Sequence, residues 1–125
     1  MKIAIVGYGK MGHEVERIAK SRGMAVVSII DPANNNAGHR EINEQSMKDV
    51  EVCIDFTRPD AAVGNIKRIS RFGKNIVIGT TGWYDKLEEV RNIVDESNIG
   101  LIYASNFSIG VNIFFKIIEN AAKIM

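Results

Sequence analysis

Four apolar runs punctuate the chain at Ile3–Val6, Met24–Ile30, Val52–Phe56 and Asn75–Ile78, and a fifth spans Ile99–Ala104. They are rich in β-branched residues and none alternates strictly with polar ones, the pattern of strands in a parallel sheet covered on both faces. Between them, apolar residues recur at helical spacing. Val15, Ile18 and Ala19 form one stripe between Gly12 and Gly23. Ala62, Val63, Ile66 and Ile69 form a second, with Pro59 suited to a first helical position and Gly73 closing the segment. Leu87, Val90, Ile93 and Val94 form a third. Strands alternating with helices predict βαβ units with right-handed crossovers. The expected fold is therefore α/β, a Rossmann-type parallel sheet with helices on both faces.

Two stretches break the rhythm. Residues 31–50 start with Asp31-Pro32, pass through Asn34-Asn35-Asn36, and read as a polar loop with one helical turn near Ser46–Val50. From Val111 to Met125 the polar residues Asn112, Lys116, Glu119, Asn120 and Lys123 share one helical stripe and the rest is apolar. So wide an apolar face suits a helix with more than one packing partner. Two readings stand: the second partner has been cut away, or the helix packs deep against its own sheet.

Composition narrows the function. The 125 residues carry 16 Lys+Arg and 15 Asp+Glu, a formal net charge of +1. That balance has no basic excess to hold nucleic acid or an anionic membrane. Hydrophobic residues at 46% and charged residues at 25% describe a folded globule. A single cysteine, Cys53, excludes an internal disulfide and a cysteine zinc cluster, and two histidines, His13 and His39, leave little for a metal site. The apolar run before Gly7 is too short for a signal-peptide core or a membrane span, so the expected location is the cytoplasm.

Gly7-Tyr8-Gly9-Lys10-Met11-Gly12 is a G-x-G-x-x-G. A strand leads in, an amphipathic helix leads out, and a second strand ends at Asp31, nineteen residues after Gly12. That spacing matches the carboxylate that grips the ribose of a bound dinucleotide. Gly7 permits the tight turn, Gly9 lets a pyrophosphate approach the backbone, and Gly12 lets helix and strand pack closely. Free N–H groups at the helix start favour the anion, and Lys10 adds a point charge. Asp31 would repel a 2′-phosphate, and Pro32 cannot supply the arginine that accommodates one. The local chemistry therefore favours NADH, with NADPH possible. A plain αβ turn with a solvated aspartate is the structural alternative.

Three further strand ends are polar or glycine-rich: Asp55-Phe56-Thr57-Arg58-Pro59, Gly79-Thr80-Thr81-Gly82 and Ala104-Ser105-Asn106-Phe107-Ser108-Ile109-Gly110. In a parallel sheet they open on the same edge as the glycine loop, where α/β folds bind ligands. Phe56, Thr57, Gly79, Thr80, Thr81, Ala104, Ser105, Asn106 and Phe107 thus join Gly7, Tyr8, Gly9, Lys10, Met11, Gly12 and Asp31 as candidate cofactor-binding residues. Structural roles compete: Thr57 suits a helix N-cap, Gly82 a turn, and Asp55 the pairing of nearby backbone. Trp83 and Tyr84 read as the anchored start of a helix. His13 reads as solvated or near the cofactor edge, His39 as solvated, and Cys53 as a buried inert thiol.

These motifs occur in the same order in the dihydrodipicolinate (4-hydroxy-tetrahydrodipicolinate) reductases, and the whole chain resembles the N-terminal half of that family. The resemblance implies a dinucleotide-binding domain over residues 1–125. The family reduces a cyclic imine-type intermediate to tetrahydrodipicolinate, in lysine and diaminopimelate synthesis, with hydride from NADH or NADPH. It implies that Gly7–Gly12 are the phosphate loop, Asp31 the ribose acid, Gly79–Thr81 the loop near the nicotinamide, and Ala104–Phe107 the flanking segment leading through Ser108–Asn112 into a hinge. The family's glycine loop commonly has one residue more. Its catalytic residues, a His pair with a Lys and an Asp-Ala-Pro-Ser-Gly-Thr run, lie in a substrate domain that also builds its homotetramer. No catalytic residue is therefore expected in this chain. Binding of the small-molecule substrate is expected through the domain this chain lacks. Two alternatives remain: the cofactor domain of another amino-acid dehydrogenase, such as a diaminopimelate or aspartate dehydrogenase, and a free-standing NAD(H)-sensing module.

Overall fold

A computed structural model describes residues 1–103. Five strands and three helices follow in order among these residues, with a helix in every crossover but that from β2 to β3: β1 (Lys2–Val6), α1 (Lys10–Ser21), β2 (Ala25–Ile30), β3 (Val52–Asp55), α2 (Pro59–Arg71), β4 (Asn75–Ile78), α3 (Leu87–Ser97) and β5 (Leu101–Tyr103). A single 3₁₀ turn, Tyr84–Lys86, leads into α3. All four strand pairings are parallel and the spatial order is β2-β1-β3-β4-β5. The fold is thus the α/β Rossmann-type sheet expected, with strand ends moved by one or two residues.

Helices cover both faces. On one, Val15, Ile18 and Ala19 of α1 pack on Ile3, Ile5, Ile54 and Val77. On the other, Ala62, Val63, Ile66 and Ile69 of α2, with Val90 of α3, pack on Ala4, Val6, Cys53, Ile76 and Ile78. This accounts for the unbroken apolar runs of β1, β3 and β4, whose alternate residues face two different helix layers. β2 departs from that pattern. It is an edge strand with Val27 41% exposed, and its register with β1 slips between Ile3 and Ala4. An edge needs only partial cover, so its apolar run exceeds what it buries.

Residues 31–50 form the expected polar loop. His39 bridges back to Ile30 in parallel register, with the His39 N–H on the Ile29 carbonyl at 3.0 Å and the Asp31 N–H on the His39 carbonyl at 3.0 Å. The expected helical turn is a run of turns over residues 44–49 with one α-type bond, Met47 N–H to the Asn43 carbonyl at 3.0 Å. Asn43 and Ser46 cap each other reciprocally at 2.8 and 2.9 Å, and Met47 and Val50 plug the core below. The apolar C-terminal segment from Val111 lies outside the described residues. No helix among the described residues is long and apolar enough to cross a membrane.

Candidate functional site

The register aligns the carboxyl ends of the strands in one row: Ile30 pairs with Val6, Val6 with Asp55, Asp55 with Ile78, and Ile78 with Tyr103. The residues that follow each strand (Asp31, Gly7, Phe56 with Thr57, and Gly79 with Thr80) therefore emerge on one edge. The chain leaves β1 for β2 on one side and returns to β3 on the other. That reversal opens a crevice between the ends of β1 and β3. A cleft of about 710 Å³ occupies it, lined by Gly7, Gly9, Asp31, Phe56, Thr57 and Asn65 among others. Ala104, Ser105, Asn106 and Phe107 lie outside the described residues.

The glycine loop is built against this edge. The Gly7 N–H donates to the Ile30 carbonyl at 2.8 Å, prolonging the β1–β2 ladder by one rung before the chain turns. Gly7 then adopts φ +95°, and a Cβ there would lie 2.7 Å from the Phe56 carbonyl oxygen. Only glycine meets both demands. Helix α1 starts at Lys10 with Gly9 as its cap and no side chain on the first free N–H groups. Those donors and the positive end of the helix dipole thus face the loop without an internal acceptor. Lys10 is exposed and Met11 half-buried.

Asp31 reaches back to this loop. Its carboxylate accepts the Tyr8 N–H at 2.8 Å and the Ala33 N–H at 2.8 Å, one on each oxygen. Each carboxylate oxygen keeps a further lone pair, so both can still accept from a hydroxyl. Asn34 adds a second latch, donating from Nδ2 to the Tyr8 carbonyl at 2.8 Å.

The Tyr8 side chain folds away from the cleft. Its ring stacks on His13 with centroids 3.8 Å apart, and its hydroxyl donates to Glu16 at 2.6 Å. This bond, then the Lys20 ammonium at 3.1 Å, holds the Glu16 carboxyl below the usual range, and the same bond pushes the Tyr8 phenol up. His13 is exposed and its Nδ1 meets the Gly9 carbonyl at 2.8 Å. Because Glu16 is depressed in the folded state, its contribution to stability is present above the ordinary carboxylate pKa and is lost as pH falls through the depressed one. Tyr8→Phe should therefore cost about 1 kcal/mol near neutral pH, the worth of one such bond. The deficit should shrink well below the ordinary carboxylate range, where Glu16 protonates. Urea unfolding of both proteins in the two pH ranges checks this.

The loop after β3 corrects one expectation. Thr57 is not the N-cap of α2; Arg58 holds that position and makes no side-chain cap bond. The Thr57 hydroxyl instead donates to the Asp55 carboxylate at 2.7 Å. Asp55 is fully buried and also accepts the Thr57 N–H at 2.8 Å, Asn65 Nδ2 at 3.1 Å and the Thr80 hydroxyl at 3.2 Å. Burial pushes its pKa up, and the four donors oppose that. Thr80 is thus turned inward at 5% exposure while Thr81 is exposed and Gly79 half-buried. Trp83 is the anchor expected, 2% exposed with Nε1 donating to the Thr80 carbonyl at 2.6 Å, and Tyr84 opens the 3₁₀ turn. Cys53 is buried beneath the sheet end, its thiol pushed up to about 12 by burial.

Sequence reasoning missed three participants. Asn34 sat in a polar run with no periodicity. Asn65 lies among apolar positions of α2, and only its burial marks it. Arg40 lines the cleft through the His39–Ile30 bridge, which no local pattern announces.

Solved structures share this architecture. An aspartate dehydrogenase from Thermotoga maritima superposes with TM-score 0.67 over 90% of this chain and 49% of its own, at 15% identity. A biliverdin reductase from Synechocystis sp. PCC 6803, solved with biliverdin and NADP+, superposes with TM-score 0.64 over 82% and 37%, at 16% identity. What they share with this chain is the fold.

The sequence is more specific. Residues 1–107 match the family described as "Dihydrodipicolinate reductase, N-terminus". The 4-hydroxy-tetrahydrodipicolinate reductase of Christiangramia forsetii is 38% identical over 125 residues, 100% of this chain and 50% of that protein. The protein of the same name from Listeria welshimeri is 32% identical over 141 residues, 98% and 54%. The chain belongs to the dihydrodipicolinate reductase family and spans about half the length of these relatives.

Proposed function

We propose that residues 1–125 form the coenzyme domain of a 4-hydroxy-tetrahydrodipicolinate reductase, binding NADH in the crevice between β1 and β3. The observation that carries this is the convergence of Asp31 and the glycine loop on one cleft, joined by the 2.8 Å bond from the Tyr8 N–H. The residues fit the coenzyme. At Gly9 an added Cβ would meet no protein atom within 4 Å, so the protein's own packing does not ask for glycine there. A phosphate approaching the uncapped start of α1 does. Asp31 accepts from the adenosine ribose, the N–H groups opening α1 hold the pyrophosphate, and Phe56, Thr57 and the backbone of Gly79–Thr81 flank the nicotinamide side. The family resemblance adds Ala104–Phe107 to the coenzyme-binding residues. A bound reduced nicotinamide supplies the hydride.

The names of the relatives support a cyclic imine-type substrate in lysine and diaminopimelate synthesis. On this reading the acid–base groups, the substrate pocket and the tetramer interface belong to the part of such reductases beyond residues 1–125. The chain alone then binds coenzyme without turning over substrate.

A second coenzyme reading rests on Arg40. The His39–Ile30 bridge sets Arg40 beside Asp31 in the register, and its side chain lines the same cleft, held at 3.0 Å by Asn35 Oδ1. Pro32 supplies no guanidinium, but the bridge brings one in from nine residues downstream of Asp31. It supports use of NADPH as well, since an arginine near the ribose accommodates a 2′-phosphate.

Calorimetric titration of the chain with both coenzymes tests these readings. Asp31→Ala should weaken NADH roughly tenfold or more, the worth of a charged hydrogen bond, and narrow any bias against NADPH. Arg40→Ala should weaken NADPH alone. If neither coenzyme binds, the proposal fails. Measurable turnover by the chain alone would refute the placement of the catalytic groups.

A further inference from the structure

We propose that Asp55 is a positioning residue, a buried tie that sets the spacing between the loop after β3 and the loop after β4 on which the nicotinamide half of the coenzyme rests. This rests on the coenzyme reading above and goes beyond it, because Asp55 itself touches no coenzyme.

The geometry makes Asp55 a junction. It ends β3, and its side chain turns inward between the two loops. Oδ1 accepts the Thr57 N–H at 2.8 Å, the Thr57 hydroxyl at 2.7 Å and the Thr80 hydroxyl at 3.2 Å; Oδ2 accepts Asn65 Nδ2 at 3.1 Å. Thr57 belongs to one loop and Thr80 to the other. The Thr80 hydroxyl also lies 3.3 Å from the Thr57 carbonyl, and the Asp55 carbonyl takes the Gly79 N–H at 2.9 Å.

Other contacts extend the tie in both directions. Trp83 grips the Thr80 carbonyl from below, so Thr80 is held by side chain and backbone together. Gly82, at φ +82°, lies against Pro59, where a Cβ would come within 3.0 Å. On the opposite side, Gly7 abuts the Phe56 carbonyl and the Thr57 methyl. The carboxylate thus ties the loops after β3 and β4 directly, and the glycine loop packs against the first of them.

A purely structural role would be an expensive use of this group. A fully buried carboxylate with no cation on it among the described residues is costly to bury, and an apolar side chain would fill the site at lower cost. What an apolar side chain cannot do is fix two loops at hydrogen-bond distance from a common point. Asp55 ends β3, two strands from the end of β2 that Asp31 follows, so the tie should govern the nicotinamide side of the cleft and spare the adenosine side.

The test removes the link between loops and keeps the carboxylate. Thr80→Val and the smaller Thr80→Ala delete one donor to Asp55, and Thr80→Ser retains it. Each is titrated with NADH and, separately, with AMP, which fills only the adenosine side, and each thermal midpoint is recorded. The expected result is NADH affinity about tenfold weaker in Val and Ala, the scale of one hydrogen bond to a charged group. AMP affinity should stay unchanged, and Ser should restore NADH binding. Equal weakening of NADH and AMP would mean general loosening and would overturn the proposal. So would unchanged NADH affinity, with or without a lower midpoint, or a Ser variant no better than Ala. If the unsubstituted chain binds neither ligand, the coenzyme reading itself fails; the other adverse outcomes leave that reading standing.

Discussion

Gly12→Ala is expected to destabilise the domain by about 3 kcal/mol or more, the upper range for forcing atoms into a packed interior. Gly12 is a buried residue in the first turn of α1, and an added Cβ would lie 2.2 Å from the Gly7 carbonyl oxygen and 3.5 Å from Ile5 Cγ2. Two effects oppose each other. Alanine favours a helix over glycine by roughly 1 kcal/mol, so an open helical site would gain. Here the contact is with backbone, and relief would require α1 to lift from the sheet. Val15 and Ala19, both at 0% exposure, and Ile18 at 4% pin it there. The clash therefore outweighs the propensity. Gly64 in α2 is the matching control: its nearest neighbour is the flexible end of Arg68 at 3.4 Å. Gly64→Ala should be neutral or slightly stabilising. Urea unfolding of both variants decides the matter, and a neutral Gly12→Ala would show that the turn and helix can separate.

The same close approach shows how far a sequence reveals such a site. The G-x-G-x-x-G, the preceding strand and Asp31 are local or near-local patterns, and each glycine's task follows from backbone sterics alone. The parallel order of the strands was legible because helices had to cross between them, and helices on both faces follow from strands without alternation. What escaped notice is carried by contacts between segments distant in the chain. The Thr57 hydroxyl had two available partners, the N–H donors of a helix N-terminus to accept from and a carboxylate two residues back to donate to. The choice of Asp55 depends on its complete burial, which a sequence does not display. Thr80 reads as a ligand contact until the sheet register brings it to Asp55, 25 residues away. Arg40 enters the cleft through a two-bond bridge outside any strand. Counting residues from Gly12 singles out Asp31, but its bond to the Tyr8 N–H, 23 residues apart, is tertiary.

Gly9→Val should separate ligand recognition from folding more sharply than any other change in the loop. Gly9 caps α1 at φ −89°, a region open to any L residue, and no protein atom lies within 4 Å of an added Cβ. Its stability cost should stay within about 1 kcal/mol, the scale of changing a cap residue. The ligand sees a different surface. Gly9 lines the cleft at the uncapped helix start, and a phosphate held by those N–H groups must come against the backbone itself. Two methyl groups there would hold the anion away from donors whose strength depends on distance. NADH affinity should fall by about a hundredfold, the loss of two or so charge-assisted hydrogen bonds, and Gly9→Ala should fall between. The thermal midpoint should hardly move. Gly12→Ala reverses this balance, because it disturbs the packing that keeps the loop in place. A Gly9→Val chain that binds NADH as tightly as the unsubstituted one would mean the diphosphate does not pass over this residue, whatever the spacing of the glycines.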